Sequence, residues 1–397
     1  MLRYFSFSNM VAGFVAVMVG FTSSAVLVFQ AATAAGASPA EVSSWLFALG
    51  MSMAATCIGL SLYYRMPILT GWSTPGAALL VTSLSGVPMS EAVGAFIFAA
   101  FLTLLTGVTG LFEKAIKHIP RSLTSAMLAG ILLHFGMNIF AAMQDQFILI
   151  SILLIIYLIG KRLFPRYVIL FVLLVGILVA QLLGLFHLDN FTITTASPIF
   201  TFPVFSLSTL FSIGIPLYIV TMTSQNIPGV AVLHASGFKP PISPIISWTG
   251  FTNFLLAPFG SYSICLAALT AAICTSKEAD INPDNRYKST VFAGICWFFI
   301  GIFGSTIVKL FFAFPKELIL AIAGLALLST IGNSLKAALE EENQREPALI
   351  TILVAASGLT LYGIGAAFWG LIAGILSSLV LNWRKREQVN IATSLQN

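Results

Sequence analysis

Apolar residues in this chain run in blocks of roughly 20, and polar residues collect in the short joins between them. A block of that length crosses a bilayer as an α-helix, whereas a barrel strand needs only about half as many residues. Fourteen blocks are read, near 10–32, 42–63, 66–86, 91–112, 121–142, 145–161, 167–186, 206–226, 241–257, 258–274, 289–312, 317–335, 347–363 and 366–383. Two of them lose their apolar uniformity in the same way. The third carries Thr70, Gly71, Trp72, Ser73, Thr74, Pro75 and Gly76, and the tenth opens on Pro258, Gly260, Ser261, Tyr262 and Ser263. Such residues predict a helix broken at membrane depth, which is tolerated where the freed N–H groups line a cavity or meet a ligand. Paired breaks at corresponding places in two halves point to a transporter binding site.

The basic residues test the count. With the N-terminus cytoplasmic, seventeen of the nineteen Lys and Arg, Arg121 and Lys336 among them, fall in inside segments, and only Lys309 and Lys316 fall outside. The positive-inside rule therefore predicts fourteen spans with both termini cytoplasmic. The first span, starting near Met10, reads as a permanent helix and not as a cleaved leader. The halves also echo each other. Thr22-Ser23-Ser24 runs to Gly36 as Thr223-Ser224-Gln225 runs to Gly237, and Gly107-x-x-Gly110 recurs as Gly301-x-x-Gly304. Seven spans per half is an odd number, so the second copy is expected upside down, as an inverted 7+7 repeat with two alternative access states.

Composition fixes the class as an all-α polytopic membrane protein: charged residues make up only 8% of the chain, against about a quarter in a soluble domain. The net charge of +5 is scattered through the joins and forms no nucleic-acid patch. Cys57, Cys265, Cys274 and Cys296 lie within apolar segments without metal-ligand spacing, so no metal or cofactor is expected. After each break a new helix should begin, with Ser73 and Thr74 as caps in one half and Ser261 and Ser263 in the other. Two facing helix starts would present positive potential without Lys or Arg, so an anion is the expected guest. All Asp and Glu lie in joins or at span ends, which disfavours a cation. Ser23, Ser24, Gln225 and Asn226 are candidate donors to a carboxylate, although such groups also hydrogen-bond between helices or to their own backbone. Trp72 and Tyr262 flank the breaks and suit a flat aromatic guest or ordinary packing. His134 is the one histidine well inside a span, His118, His187 and His234 lying shallower; it is a candidate proton carrier, unless the proton travels with the substrate carboxyl.

At these residues the chain resembles the benzoate:proton symporter (BenE) family. The likeness rests on Thr70–Ala77, Thr223–Gly229, Ala257–Gly260, Ser357–Thr360 and Gly363–Gly365, and it covers nearly the whole chain. The family is similar in architecture to nucleobase permeases and to sulfate and bicarbonate transporters. The resemblance implies a core domain (1–119 and 206–313) that moves against a gate domain (120–205 and 314–397), and uptake of benzoate or a related aromatic carboxylate with a proton across the bacterial inner membrane. It implies a homodimer through the gate by analogy. Nucleobase permeases place acidic residues where this chain has Gln225, Asn226, Ser261 and Tyr262, a departure that favours an anion. A carrier or channel for another small anion, or a nucleobase permease-like carrier, stays open as an alternative. An intramembrane enzyme is disfavoured, because no nucleophile–base–acid set converges.

Overall fold

The computed structural model describes residues 4–111, 120–165, 168–185, 192–267, 270–277, 279–359, 361 and 366–381. Readings that involve His118, His187, Thr360, Gly363–Gly365 or the acidic residues Glu113, Asp189 and Glu278 lie outside these residues.

Helices dominate. They are α1 (Phe7–Ala34), α2 (Pro39–Tyr64), α3 (Thr74–Ser83), α4 (Met89–Val108), α5 (Arg121–Asp145), α6 (Phe147–Leu163), α7 (Val168–Leu182), α8 (Leu207–His234), α9 (Ile242–Leu256), α10 (Ala271–Thr275), α11 (Tyr287–Ile302), α12 (Gly304–Phe312), α13 (Lys316–Leu339), α14 (Arg345–Ala356) and α15 (Ala366–Leu381). Among the described residues six of them, α1, α2, α4, α5, α8 and α13, are long and apolar enough to cross a membrane alone. The stretch expected as one span over 289–312 is bent by 66° between α11 and α12. The bend falls at Phe303, which has left helical ψ, and Gly304.

Helices meet where one side lacks a side chain. Gly50 of α2 lies against the Gly301 backbone of α11, Gly107 of α4 against Ser247 of α9, and Gly250 of α9 against Leu104 of α4. Gly324 of α13 faces Phe135 and Ile139 of α5, and Gly130 of α5 faces Ile352 and Ala355 of α14. In lipid, where apolar side chains gain nothing by meeting one another, close approach at small residues is the usual means of helix association.

The sequence pattern predicts that Gln225–Gly229 ends or bends the eighth span. It does not end there, since α8 continues to His234. Two π-helical turns, Leu210–Gly214 and Met222–Asn226, stand just before Pro216 and Pro228. In each, the residue ahead of the proline bonds five residues back, Ile215 to Leu210 and Ile227 to Met222. The wider turn absorbs the clash and the lost donor that a proline brings to a helix interior.

The two breaks take an unexpected form. Thr70–Trp72 (β1) and Ile264–Leu266 (β2) make a two-stranded antiparallel sheet, with Thr70 opposite Leu266, Gly71 opposite Cys265 and Trp72 opposite Ile264. Bonds from Ser73 N–H to Ser263 O (3.0 Å) and from Ala267 N–H to Leu69 O (3.0 Å) extend it. Main-chain groups freed by the breaks thus pair with each other or with side chains such as Cys57 and Asn226, with no need of a ligand.

Candidate functional site

Ser73 caps α3 as expected. Its Oγ accepts from Gly76 N–H at 3.1 Å, and Ala77 N–H closes onto Ser73 O at 2.8 Å. Pro75 has no N–H, so Thr74 keeps the one first-turn donor that is not committed.

The second half does not mirror this. Gly260, at φ +104°, turns the chain out of α9 with its α-carbon against the Trp45 indole, where no Cβ fits. The segment then runs extended into β2, and α10 begins only at Ala271. Ser261 and Ser263 therefore cap no helix, which corrects the sequence-based expectation. Pairing with β1 has overridden a helix start. Ser261 Oγ instead donates to Asn253 Oδ1 at 2.7 Å and lies 3.2 Å from Ser52 Oγ. Ser263 Oγ lies 3.0 Å from Thr221 Oγ1, which donates to Ser73 Oγ at 2.9 Å. Tyr262 is fully buried, and its hydroxyl donates to Ser73 O at 3.1 Å. Asn226 is equally buried, and its Oδ1 accepts from Leu266 N–H at 2.9 Å. Ser73, Asn226, Gly260, Ser261 and Tyr262 thus form a polar layer that fixes the two strands and stands behind a cavity without lining it.

That cavity has a volume of about 1010 Å³. One wall comes from α1, β1, the start of α3, the π turn of α8, and Ala267, Thr270 and Trp297. The expected residues Ser23, Ser24, Trp72, Thr74 and Gln225 are on it. Trp72 Nε1 donates to Ser24 Oγ at 2.8 Å, and Ser24 Oγ donates to Gly20 O at 2.8 Å. Ser23 Oγ likewise bonds back to Gly20 O at 3.1 Å. Both serine donors are thereby committed within α1, while Ser24 locks the Trp72 ring. Trp72 and Trp297 meet edge to face at 5.0 Å, with Phe21 at 5.9 Å from Trp72. Gln225, half-buried on the π turn, forms no hydrogen bond among the described residues, so its amide is free toward the cavity.

The opposite wall was missed by sequence reasoning. It includes Arg121, Thr124, Ser125 and Leu128 on α5, and Thr330, Asn333, Ser334 and Ala337 on α13, with Ala326 and Leu327 beside them. Each set follows an i, i+3, i+4, i+7 spacing, one face of a helix. A search for that polar period within apolar spans would have found both. Arg121 places on the cavity a basic side chain that the sequence analysis had not assigned to the site. Among the described residues no Asp, Glu or His lines the cavity. His134 is half-buried on α5 and does not line it.

A family model described as BenE, benzoate membrane transport protein, matches residues 3–380. The chain belongs to the BenE family. It is therefore a membrane transport protein and not an enzyme. Among curated BenE-like relatives, the inner membrane protein YdcO of Escherichia coli is 46% identical over 96% of this chain and 98% of its own length. The benzoate membrane transport protein of Acinetobacter baylyi is 38% identical over 95% of each. The transmembrane domain of a cyanobacterial bicarbonate transporter, BicA, superimposes with a TM-score of 0.63 at 12% identity, covering 93% of this chain and 97% of that domain. At that identity the match speaks for the fold alone.

Proposed function

We propose that this BenE-family protein takes up benzoate or a related aromatic carboxylate with a proton across the bacterial inner membrane, by alternating access. The observation that carries the reading is the make-up of the cavity. It combines Trp72 and Trp297, the free Gln225 amide, Thr74 and Arg121, and no acidic side chain among the described residues lines it. The carboxylate is held by Thr74 and Gln225, and its ring packs on the tryptophans.

The fold is read as fourteen spans in a 7+7 inverted repeat. Exchange of halves would map α2·α11 onto α4·α9 and β1 onto β2, and those pairings support it. The matched segments Thr22–Ser24 and Thr223–Gln225 both approach the cavity, and Gly36 and Gly237 both end their helices at positive φ. In this reading α1–α4 and α8–α12 form the core, α5–α7 and α13–α15 form the gate, and the cavity separates them. In the same reading Arg121, exposed and among the lining residues, marks the cytoplasmic side by the positive-inside rule, which makes the state inward-facing with cytoplasmic termini. Two protomers associate through their gates. The proton crosses on the substrate carboxyl, because no titratable acid or imidazole among the described residues lines the cavity; desolvation raises a carboxyl group's reference pKa of about 4.

Reconstituted vesicles test this. Labelled benzoate should accumulate when a proton gradient is imposed, and unlabelled benzoate inside should drive counterflow. Uptake indifferent to the gradient overturns the symport. Equilibration without counterflow makes the protein a channel.

A further inference from the structure

The two cavity walls differ in charge. Among the described residues the wall formed by α1, β1, α3 and α8 holds no ionised side chain, whereas the facing wall holds one, Arg121. Arg121 is exposed at the first turn of α5. No acidic side chain among the described residues pairs with it, and the ion pair found among them is Arg345–Glu342. Thr124 and Ser125 continue its helix face into the cavity, and Asn333 and Ser334 stand on the α13 wall. A guanidinium without a counter-ion among the described residues, beside hydroxyl and amide groups, presents a planar set of donors that matches a carboxylate.

We propose that Arg121 is a second anion-recognition point, on the α5 wall, which binds the carboxylate and selects the charged substrate over neutral isosteres. This rests on the reading of the protein as an anion carrier. It adds a charge-selecting residue that is separate from the Thr74–Gln225 site. The rival is a topological anchor that keeps α5 at the membrane face and touches no substrate.

Titration calorimetry on purified protein decides it, with benzoate and its neutral isostere benzamide as probes. Arg121→Gln should weaken benzoate binding roughly tenfold, the low end for a lost charge-assisted hydrogen bond, and leave benzamide unchanged. Arg121→Lys should restore most of the benzoate affinity. Unchanged benzoate binding in Arg121→Gln, or an equal loss for both probes, overturns the proposal. Should that variant fail to fold, benzoate affinity of the unmodified protein is measured against salt. A decline supports an exposed counter-charge, and a flat response removes it. If the unmodified protein binds nitrate or bicarbonate but not benzoate, the aromatic reading falls, and the same variants scored with that anion decide the role of Arg121. Binding of no anion overturns both.

Discussion

Gln225 and Asn226 are neighbours with opposite employment. Asn226 secures β2 through Leu266, while Gln225 faces the cavity with its amide uncommitted. Gln225→Ala should therefore lower benzoate affinity about tenfold, as expected for one hydrogen bond to a charged group, with folding intact. Asn226→Ala should instead destabilise the protein, since it leaves a buried N–H on β2 without its acceptor. Calorimetry and thermal unfolding separate the two outcomes. Polarity alone marked both residues in the sequence. It did not show which side chain turns inward, because one residue along a helix is a rotation of about 100°. His134 was marked for the same reason, as an ionisable group inside an apolar run. Its place away from the cavity predicts that His134→Gln keeps proton-driven uptake, measured as accumulation under an imposed gradient.

At the scale of elements, the breaks were legible and their form was not. Pro and Gly report that a helix stops, but strand pairing between Thr70–Trp72 and Ile264–Leu266 spans almost two hundred residues of chain, and nothing local encodes it. The asymmetry between α3 and the late start of α10 has the same origin. Gly260 is the element-level hinge of this arrangement. A Cβ there meets both an unfavourable positive φ and the Trp45 ring. The backbone term alone is about 1–2 kcal/mol for an L-residue. Gly260→Ala should lower the thermal midpoint clearly more than Gly59→Ala, where a Cβ meets nothing within 4 Å. The π turns of α8 were likewise hidden, since a proline in a helix pattern predicts a stop, and the accommodation depends on hydrogen bonds five residues apart.

For the whole molecule, the sequence made the membrane class and the family plain, through apolar blocks and a few specific segments. The cavity was only half legible. Its wall near the breaks carried conspicuous residues, whereas the α5–α13 wall is written in small hydroxyls that ordinary apolar spans also contain. If those two helices move against the rest of the molecule, water access should follow. Asn333→Cys, with Cys296 replaced by Ser and the other cysteines buried, should react rapidly with a membrane-impermeant thiol reagent applied to the basic face and slowly from the other. Saturating benzoate should slow the reaction at the open face. Equal labelling from both sides would indicate a pore.

The short sheet between the two broken segments has a further consequence. Because main-chain bonds stitch one half of the chain to the other beside the tryptophans, neither half can carry its share of the guest away alone. On the proposed mechanism the seat travels as a single rigid unit. A series of substituted benzoates should then rank in the same order whether it is presented from outside or inside the vesicle, however different the two absolute affinities are.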